Sequence, residues 1–331
     1  MSRAMAQSKT KKIAIACQGG GSHTAFTAGV LSIVLSPEYA DRFDLIGFSG
    51  TSGGAVCTTL AWSGLISDAP DPRAEAVQRL QAFWDELKAD TPFDLARNFW
   101  GLFTVRLPVV AEISPYTYAP FAEDELRDML TRHAKLNELP ADPARRMRPL
   151  LYIGVTDVLH GVTDENSVFR GETLTVDQVI ASAAIPPVFR AIKVGGSLYW
   201  DGLFSRNPPL REFTDLPRAE RPDEIWIVRI NPQTRQHEPR SMPDIIDRRN
   251  ELSGNLSLDQ ERAFIEKINA LLAKAHEHLR GDYKHIEVRE IALDLPDLDY
   301  ASKLDRSPEL IGRLIQHGRQ KAKHFLGAWV L

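Results

Sequence analysis

The feature of this 331-residue chain that most constrains its fold is the pentapeptide Gly50-Thr51-Ser52-Gly53-Gly54. It follows the apolar run Leu45-Ile46-Gly47-Phe48, which reads as a strand, and precedes residues 55–62, which read as a helix. A serine with glycines two residues to either side, set between a strand and a helix, is the nucleophile-elbow pattern G-x-S-x-G. The turn holds the serine in a strained backbone, and side chains at Gly50 or Gly54 would collide with neighbouring elements. Ser52 is thereby placed at a helix N-terminus, where free N–H groups and the positive dipole end favour developing negative charge.

The surrounding pattern fits a chain built to present such a turn. Ile13-Ala14-Ile15-Ala16-Cys17 is a short apolar run ending in glycines, as expected of a buried parallel strand. Residues 24–35 read as a helix stopped by Ser36-Pro37. Alternation of this kind predicts a doubly wound α/β core. Further strands are expected at 150–156, 167–169, 188–194, 224–230 and 283–293. Helices are expected at 74–88, 121–133, 176–183, 243–280 and 309–326. The stretch between Thr91 and Phe121 reads as irregular and is rich in aromatics and prolines, among them Phe93, Phe99, Trp100, Phe103, Pro108, Tyr116 and Tyr118. It is the candidate for a substrate-selecting pocket wall, lid or membrane-docking surface. With no repeat or linker to divide it, the chain reads as a single domain, 1–331. Its core spans 12–232, with an aromatic-rich insertion at about 68–148 and a helical C-terminal extension at about 243–331.

Composition excludes several classes. Forty basic against 44 acidic residues leave a net charge of −4, so nothing favours nucleic acid as a partner. The short run Arg145-Arg146-Met147-Arg148 reads as a solvated turn. Cys17 and Cys57 alone make no disulfide framework, which favours a reducing compartment. The first apolar run is too short for a signal-peptide core, and no run approaches the ~18 apolar residues that span a bilayer. A cytoplasmic protein is expected, with peripheral membrane contact left open. There is no His-Glu-x-x-His, Cys-x-x-Cys or EF-hand pattern, so neither a metal nor a cofactor is expected. No pattern fixes an oligomeric state.

A second glycine cluster, Gln18-Gly19-Gly20-Gly21-Ser22-His23, closes the first strand. Consecutive glycines let backbone N–H groups approach a ligand oxygen unobstructed. Beside a nucleophile their natural use is an oxyanion hole made with the N–H of Gly53. Dinucleotide binding fares poorly, because G-x-G-x-x-G would need glycine at Thr24, and no P-loop ending follows.

These blocks resemble the patatin-like phospholipase family. Gly19-Gly20-Gly21 opening a helix that carries Gly29-Val30-Leu31 is similar to its first motif, and Gly50-Thr51-Ser52-Gly53-Gly54-Ala55 to its second. The third is Ala181-Ser182-Ala183-Ala184-Ile185-Pro186-Pro187, followed by Tyr199-Trp200-Asp201-Gly202 and Asn207-Pro208-Pro209. The resemblance covers 13–230. It implies a three-layer α/β/α fold with a mainly parallel sheet and a serine acyl hydrolase acting on lipid esters. It further implies Ser52 as nucleophile, Asp201 as general base, and N–H groups of the 19–21 loop and Gly53 as the oxyanion hole, with Gly50, Gly54 and Gly202 in support. Thr24 and Leu203 depart from the family's glycine and its glycine or alanine, which would narrow the pocket and reshape its floor.

The residues leave rivals open. A histidine base would follow Asp201 in α/β-hydrolase order, and His285, at the start of a predicted strand, is the best placed. His23 falls either at the site entrance or on the surface. A short-chain carboxylesterase, or a non-catalytic lipid-binding or regulatory protein on the same fold, remain the alternative functions.

Overall fold

Strand β1 (Lys12–Cys17) is buried from Ile13 onward and lies in the interior of the sheet. It pairs in parallel with β2 (Asp44–Gly50) on one side, and β2 pairs in parallel with β3 (Leu150–Asp157). The short strand β4 (Val168–Arg170) returns antiparallel along β3, as does β6 (Ser197–Asp201), which also pairs with β5 (Ile192–Val194). On its other side β1 pairs in parallel with β7 (Glu224–Arg229), and β7 with β8 (Glu287–Ala292). The order across the sheet is β5-β6-β3-β2-β1-β7-β8. The computed structural model describes residues 10–106, 114–117, 120–140, 142–186, 188–235, 237–274 and 279–329.

Alternation along β1 divides the core in two. Ile13, Ile15 and Cys17 join the larger apolar cluster, while Ala14 and Ala16 join a second cluster on the opposite face. The first face is covered by α1 (Ala25–Val34), α2 (Gly53–Leu65) and α3 (Pro72–Leu87). Of the next two helices, α4 (Pro92–Arg106) lies against the turn at Ala301–Lys303, and α5 (Phe121–Ala134) adds Met129 and Leu130 to the same cluster. After β4 comes α6 (Val176–Ser182), begun by a capping box in which Thr175 and Gln178 satisfy each other's backbone N–H. The second face is covered by α7 (Met242–Ala273), whose Leu258 and Ile265 pack beside Ile225 and Ile227. The closing helix α8 (Pro308–Ala328) returns to the first face, where Ile315 packs backbone to backbone on Gly29 of α1. The result is three layers, helices on both faces of a mostly parallel sheet, as the motifs predict. The segment after 243, read as a helical extension, supplies the long helix of one layer, a sheet strand and part of the other layer.

The stretch after Thr91 differs from its irregular reading. Thr91 accepts the N–H of Asp94, Pro92 occupies the first helical position, and α4 runs for 15 residues. Cap and proline outweigh the aromatic content that argued for irregular chain. The strand expected over 188–194 shortens to Ile192–Val194, because Val188 and Phe189 fold back through N–H bonds to the Ile185 carbonyl. Pro108, Tyr118, Pro187, His276 and His278 lie outside the described residues, as do the side chains of Trp100 and Phe103.

Candidate active site

The elbow is strained in the way its glycines imply. Ser52 sits at φ 57°, ψ −129°, a left-handed-side conformation rarely taken by a residue with a Cβ. A Cβ on Gly50 would lie 2.5 Å from Thr58 Oγ1, and one on Gly54 would lie 2.2 Å from the Cys17 carbonyl oxygen. Both glycines are therefore required by packing. The Ser52 N–H is held by Ser182 Oγ at 3.0 Å, and that hydroxyl donates in turn to the Gly154 carbonyl at 2.7 Å. Ser182, quoted in the third motif without a task of its own, thus ties the elbow to β3.

Asp201 ends β6, 1% exposed, next to Val155 of β3. Its own N–H donates to the Ala184 carbonyl at 3.0 Å, and Thr156 Oγ1 donates to its carbonyl at 2.8 Å. The carboxylate accepts the Leu203 N–H at 2.9 Å, and the Ser52 side chain acts on it to favour the ionised form. Burial pushes the carboxyl up to about 7, against the opposing pull of the Ser52 side chain and the Leu203 N–H. Gly202 beside it is required by packing, since a Cβ there would lie 2.4 Å from the Gly154 carbonyl. The structure brings Ser52 and Asp201 together although 149 positions separate 52 from 201.

The glycine loop lies against the same serine. A Cβ on Gly19 would fall 2.7 Å from Ser52 Cβ. Its N–H, however, donates to Asn207 Oδ1 at 2.8 Å, so the expected oxyanion set loses this member: the Gly19 amide is already engaged. Among the described residues no hydrogen bond engages the N–H groups of Gly20, Gly21 or Gly53. Gln18 and Asn231 hold the loop from behind. Gln18 Oε1 accepts the N–H groups of Ile230 and Asn231 at 3.0 and 2.8 Å, and Asn231 Nδ2 donates to the Gly19 carbonyl at 3.1 Å. Asn207 is quoted in the third motif and Gln18 in the glycine run, yet only the fold shows what they hold. Asn231, at the end of β7, carries no local signal at all.

A cavity of about 230 Å³ opens over Ser52, Asp201 and the glycine loop. One wall is apolar: Val56, Phe83, Trp84, Leu87, Leu126 and Ile185. The other is polar and comes from the C-terminal part, with Asp247, Asn250, Glu251, Tyr300 and Lys303. Asp247 and Glu251 are each 2% exposed and are both bound by Arg235 and Lys303, which offsets the cost of burying two carboxylates. Thr24 lines the cavity, but its hydroxyl donates to the Gly21 carbonyl at 2.6 Å, and its side chain fills the space that a Cβ on Gly53 would need. Leu203 lines the floor beside Asp201.

No described histidine lines this cavity. His285 is exposed, ahead of β8 rather than within it. His23 is 3% exposed, so neither the entrance nor the surface is its place; its Nε2 lies 2.8 Å from Ser302 Oγ. Burial, with the Lys303 charge as the second cause, brings that imidazole down to about 3. Cys17 and Cys57 are both fully buried, and burial pushes both thiols up. Among the described residues no cluster of His, Cys, Asp or Glu is placed to hold a metal ion, and no helix is long and apolar enough to cross a membrane. The described residues of the aromatic stretch after Thr91 do not line the cavity.

A strained serine and a buried carboxylate lining one cavity, beside amides with no hydrogen-bond partner among the described residues, fit the chemistry of an ester-cleaving hydrolase. The family model "Patatin-like phospholipase" matches residues 15–214, and the chain belongs to that family of lipid acyl hydrolases. Among solved structures the chain is similar to VipD from Legionella pneumophila, at 14% identity and a TM-score of 0.43, covering 96% of this chain and 67% of that one. It is also similar to the type III effector protein ExoU, at 16% identity and a TM-score of 0.36, covering 95% of this chain and 52% of that one. The chain thus spans about two thirds of the first protein's length and half of the second's. Among curated proteins none matches it.

Proposed function

We propose that the chain hydrolyses lipid acyl esters through a Ser52–Asp201 dyad and an acyl-enzyme intermediate. Ser52 Oγ attacks the ester carbonyl as its proton passes to Asp201, and the carbonyl electron pair moves onto oxygen. The N–H groups of Gly20, Gly21 and Gly53 stabilise that oxyanion. Collapse expels the alcohol, which takes the proton from Asp201. Water then attacks the acyl-enzyme, gives a proton to Asp201, and releases the fatty acid as Ser52 regains its own.

The observation that carries this reading is that Ser52 and a buried Asp201 carboxylate, whose ionised form the Ser52 side chain favours, line one cavity together with unengaged amides. A carboxylate of ordinary pKa is a weak base toward a hydroxyl. Asp201, raised to about 7, is a better one and stays largely ionised only above that pH.

The apolar wall suits an acyl chain. The aromatic stretch then acts at the mouth of the cavity. Leu304 and Val188 line the cavity and are themselves 37% and 36% exposed. The stretch is anchored beside both: Asn98 of α4 bonds Asp305 and the Arg306 N–H, while Tyr116 OH accepts the Ala191 N–H. Phe93, Phe99, Tyr116 and Phe121 of this stretch are all exposed, a surface suited to peripheral contact with lipid.

An acyl-ester panel run on wild type beside Ser52→Ala tests the proposal. Turnover of long-chain lipid esters by wild type and none by a folded Ser52→Ala is expected. Activity confined to acetyl and butyryl esters would instead assign a short-chain carboxylesterase. No turnover of any ester by folded wild type would assign a lipid-binding protein.

A further inference from the structure

The chain beyond the family match reaches back to the glycine loop from the far side of the cavity. A single 3₁₀ turn, Ala301–Lys303, packs on it. Gly21 has φ +57°, and a Cβ there would lie 2.4 Å from the Lys303 carbonyl oxygen, so that carbonyl rests directly on the loop backbone. Two residues on, His23 Nε2 meets Ser302 Oγ. That hydroxyl donates to the Asp299 carbonyl at 2.7 Å, so its proton is committed and the imidazole must donate. His23 is therefore the Nε2–H tautomer, neutral throughout the working pH range.

The turn is rigid in its own right. The Ser302 N–H bonds Asp299 Oδ1 at 2.8 Å, and the Asp299 N–H bonds Ser302 Oγ at 2.9 Å. Lys303 Nζ is held at 2.6 Å by Asp247 and at 3.2 Å by Glu251, both buried on α7. Asn207 and Asn231 fix Gly19, whereas Gly20 and Gly21 have no side chain of their own to limit rotation. A displacement of ~1 Å is enough to lose roughly 10² in rate.

We propose that the 299–303 turn, joined to His23 through Ser302, holds the Gly20 and Gly21 amides at the oxyanion, with His23 and Ser302 as positioning residues. The proposal rests on the oxyanion role given to those amides above. His23 does not act as a base in this arrangement, because its Nε2 is bound to Ser302 and its ring lies outside the cavity.

The test compares His23→Phe, Ser302→Ala and His23→Gln with wild type on a soluble ester. A trifluoromethyl ketone mimics the oxyanion, and the matching alkyl ether occupies the site without one. In His23→Phe and Ser302→Ala, kcat should fall about tenfold or more with KM within about twofold, short of the roughly 10²–10³ for a whole oxyanion donor. Ketone affinity should fall by the same factor as kcat, and ether affinity should hold. His23→Gln, whose amide can still donate to Ser302, should recover most of the rate. Wild-type kcat and ketone affinity in folded His23→Phe and Ser302→Ala would overturn the proposal, as would equal losses for ketone and ether. Ser52→Ala run alongside separates the two readings: if it keeps full turnover the dyad has failed, whereas an inert Ser52→Ala with unaltered positioning variants overturns only the clamp.

Discussion

The two walls of the cavity come from different parts of the chain. The groups proposed to react and the amides proposed to hold the oxyanion, Gly20, Gly21, Ser52, Gly53 and Asp201, all lie before residue 214 at the ends of strands or the helices that follow them. The facing wall, with Asp247, Glu251, Tyr300 and Lys303, comes from α7 and the turn after β8. The first set is made by local chain geometry, each group a few residues from the turn that aims it. The second is held by pairings of charged side chains between separate elements, such as Lys303 with Asp247 and Glu251. Chemistry is concentrated on one wall, while stability and placement are shared with the other.

The sharpest way to break that contrast is Asp201→Asn. It should cost roughly 10²–10⁴ in kcat, the range for removing a general base, with the fold intact by circular dichroism. A near-normal rate would move the base elsewhere and erase the division between the walls.

The pH profile comes next. Asp201 must be ionised to accept the Ser52 proton, so kcat/KM should drop about tenfold per pH unit below an inflection near 7. Stability runs the other way. The folded pKa is raised, so the folded state keeps a proton that the unfolded chain has released. The favourable contribution, complete below the unfolded value of 3.8, is lost as pH rises through about 7. Asp201→Asn should remove that loss and stand above wild type in thermal midpoint at pH 8, with the gap closing toward pH 4. A gap that widens toward acid would contradict the burial of a carboxylate.

On the second wall the effect should fall on stability. Glu251→Ala leaves Arg235 and Lys303 short of a buried partner and should cost about 3–5 kcal/mol in denaturant unfolding. The protein that remains folded should keep kcat within about tenfold of wild type. A larger loss of kcat than of stability would place chemistry on this wall too.

The smallest effect on soluble esters belongs to the rim. Phe93→Asp with Phe121→Asp, both changes at strongly exposed positions, should leave turnover of a dissolved ester unchanged. Binding to phosphatidylcholine vesicles and hydrolysis there should weaken several-fold. Equal effects on dissolved and vesicle substrates would remove the rim from membrane contact.

How much was legible follows the same division. Ser52 was readable because strand, glycine turn and helix are contiguous, and the β1 loop because three glycines in a row have few uses. Asp201 was legible only through the family's third motif, since no short-range pattern says which carboxylate will meet Ser52. The engagement of the Gly19 amide has no local signal, because its partner, Asn207, lies 188 positions away. The helix at Pro92–Arg106 was hidden by its aromatic content, although Thr91, Pro92 and Asp94 form a readable start. The parts of α7, β8 and α8 were visible as elements, but their places in the layers were not. A helix pattern records which face is apolar and not which sheet face it will cover. The placing of His23 against Ser302 joins two loops across 279 positions and had no local trace.

The central claim is that Ser52 is the atom that attacks. Mass spectrometry of the folded protein after treatment with a fluorophosphonate tests it most directly. The account predicts one adduct, on the peptide containing Ser52, formed far more slowly in Asp201→Asn. Folded protein that takes no label, or takes it on another residue while Ser52 stays bare, would contradict it.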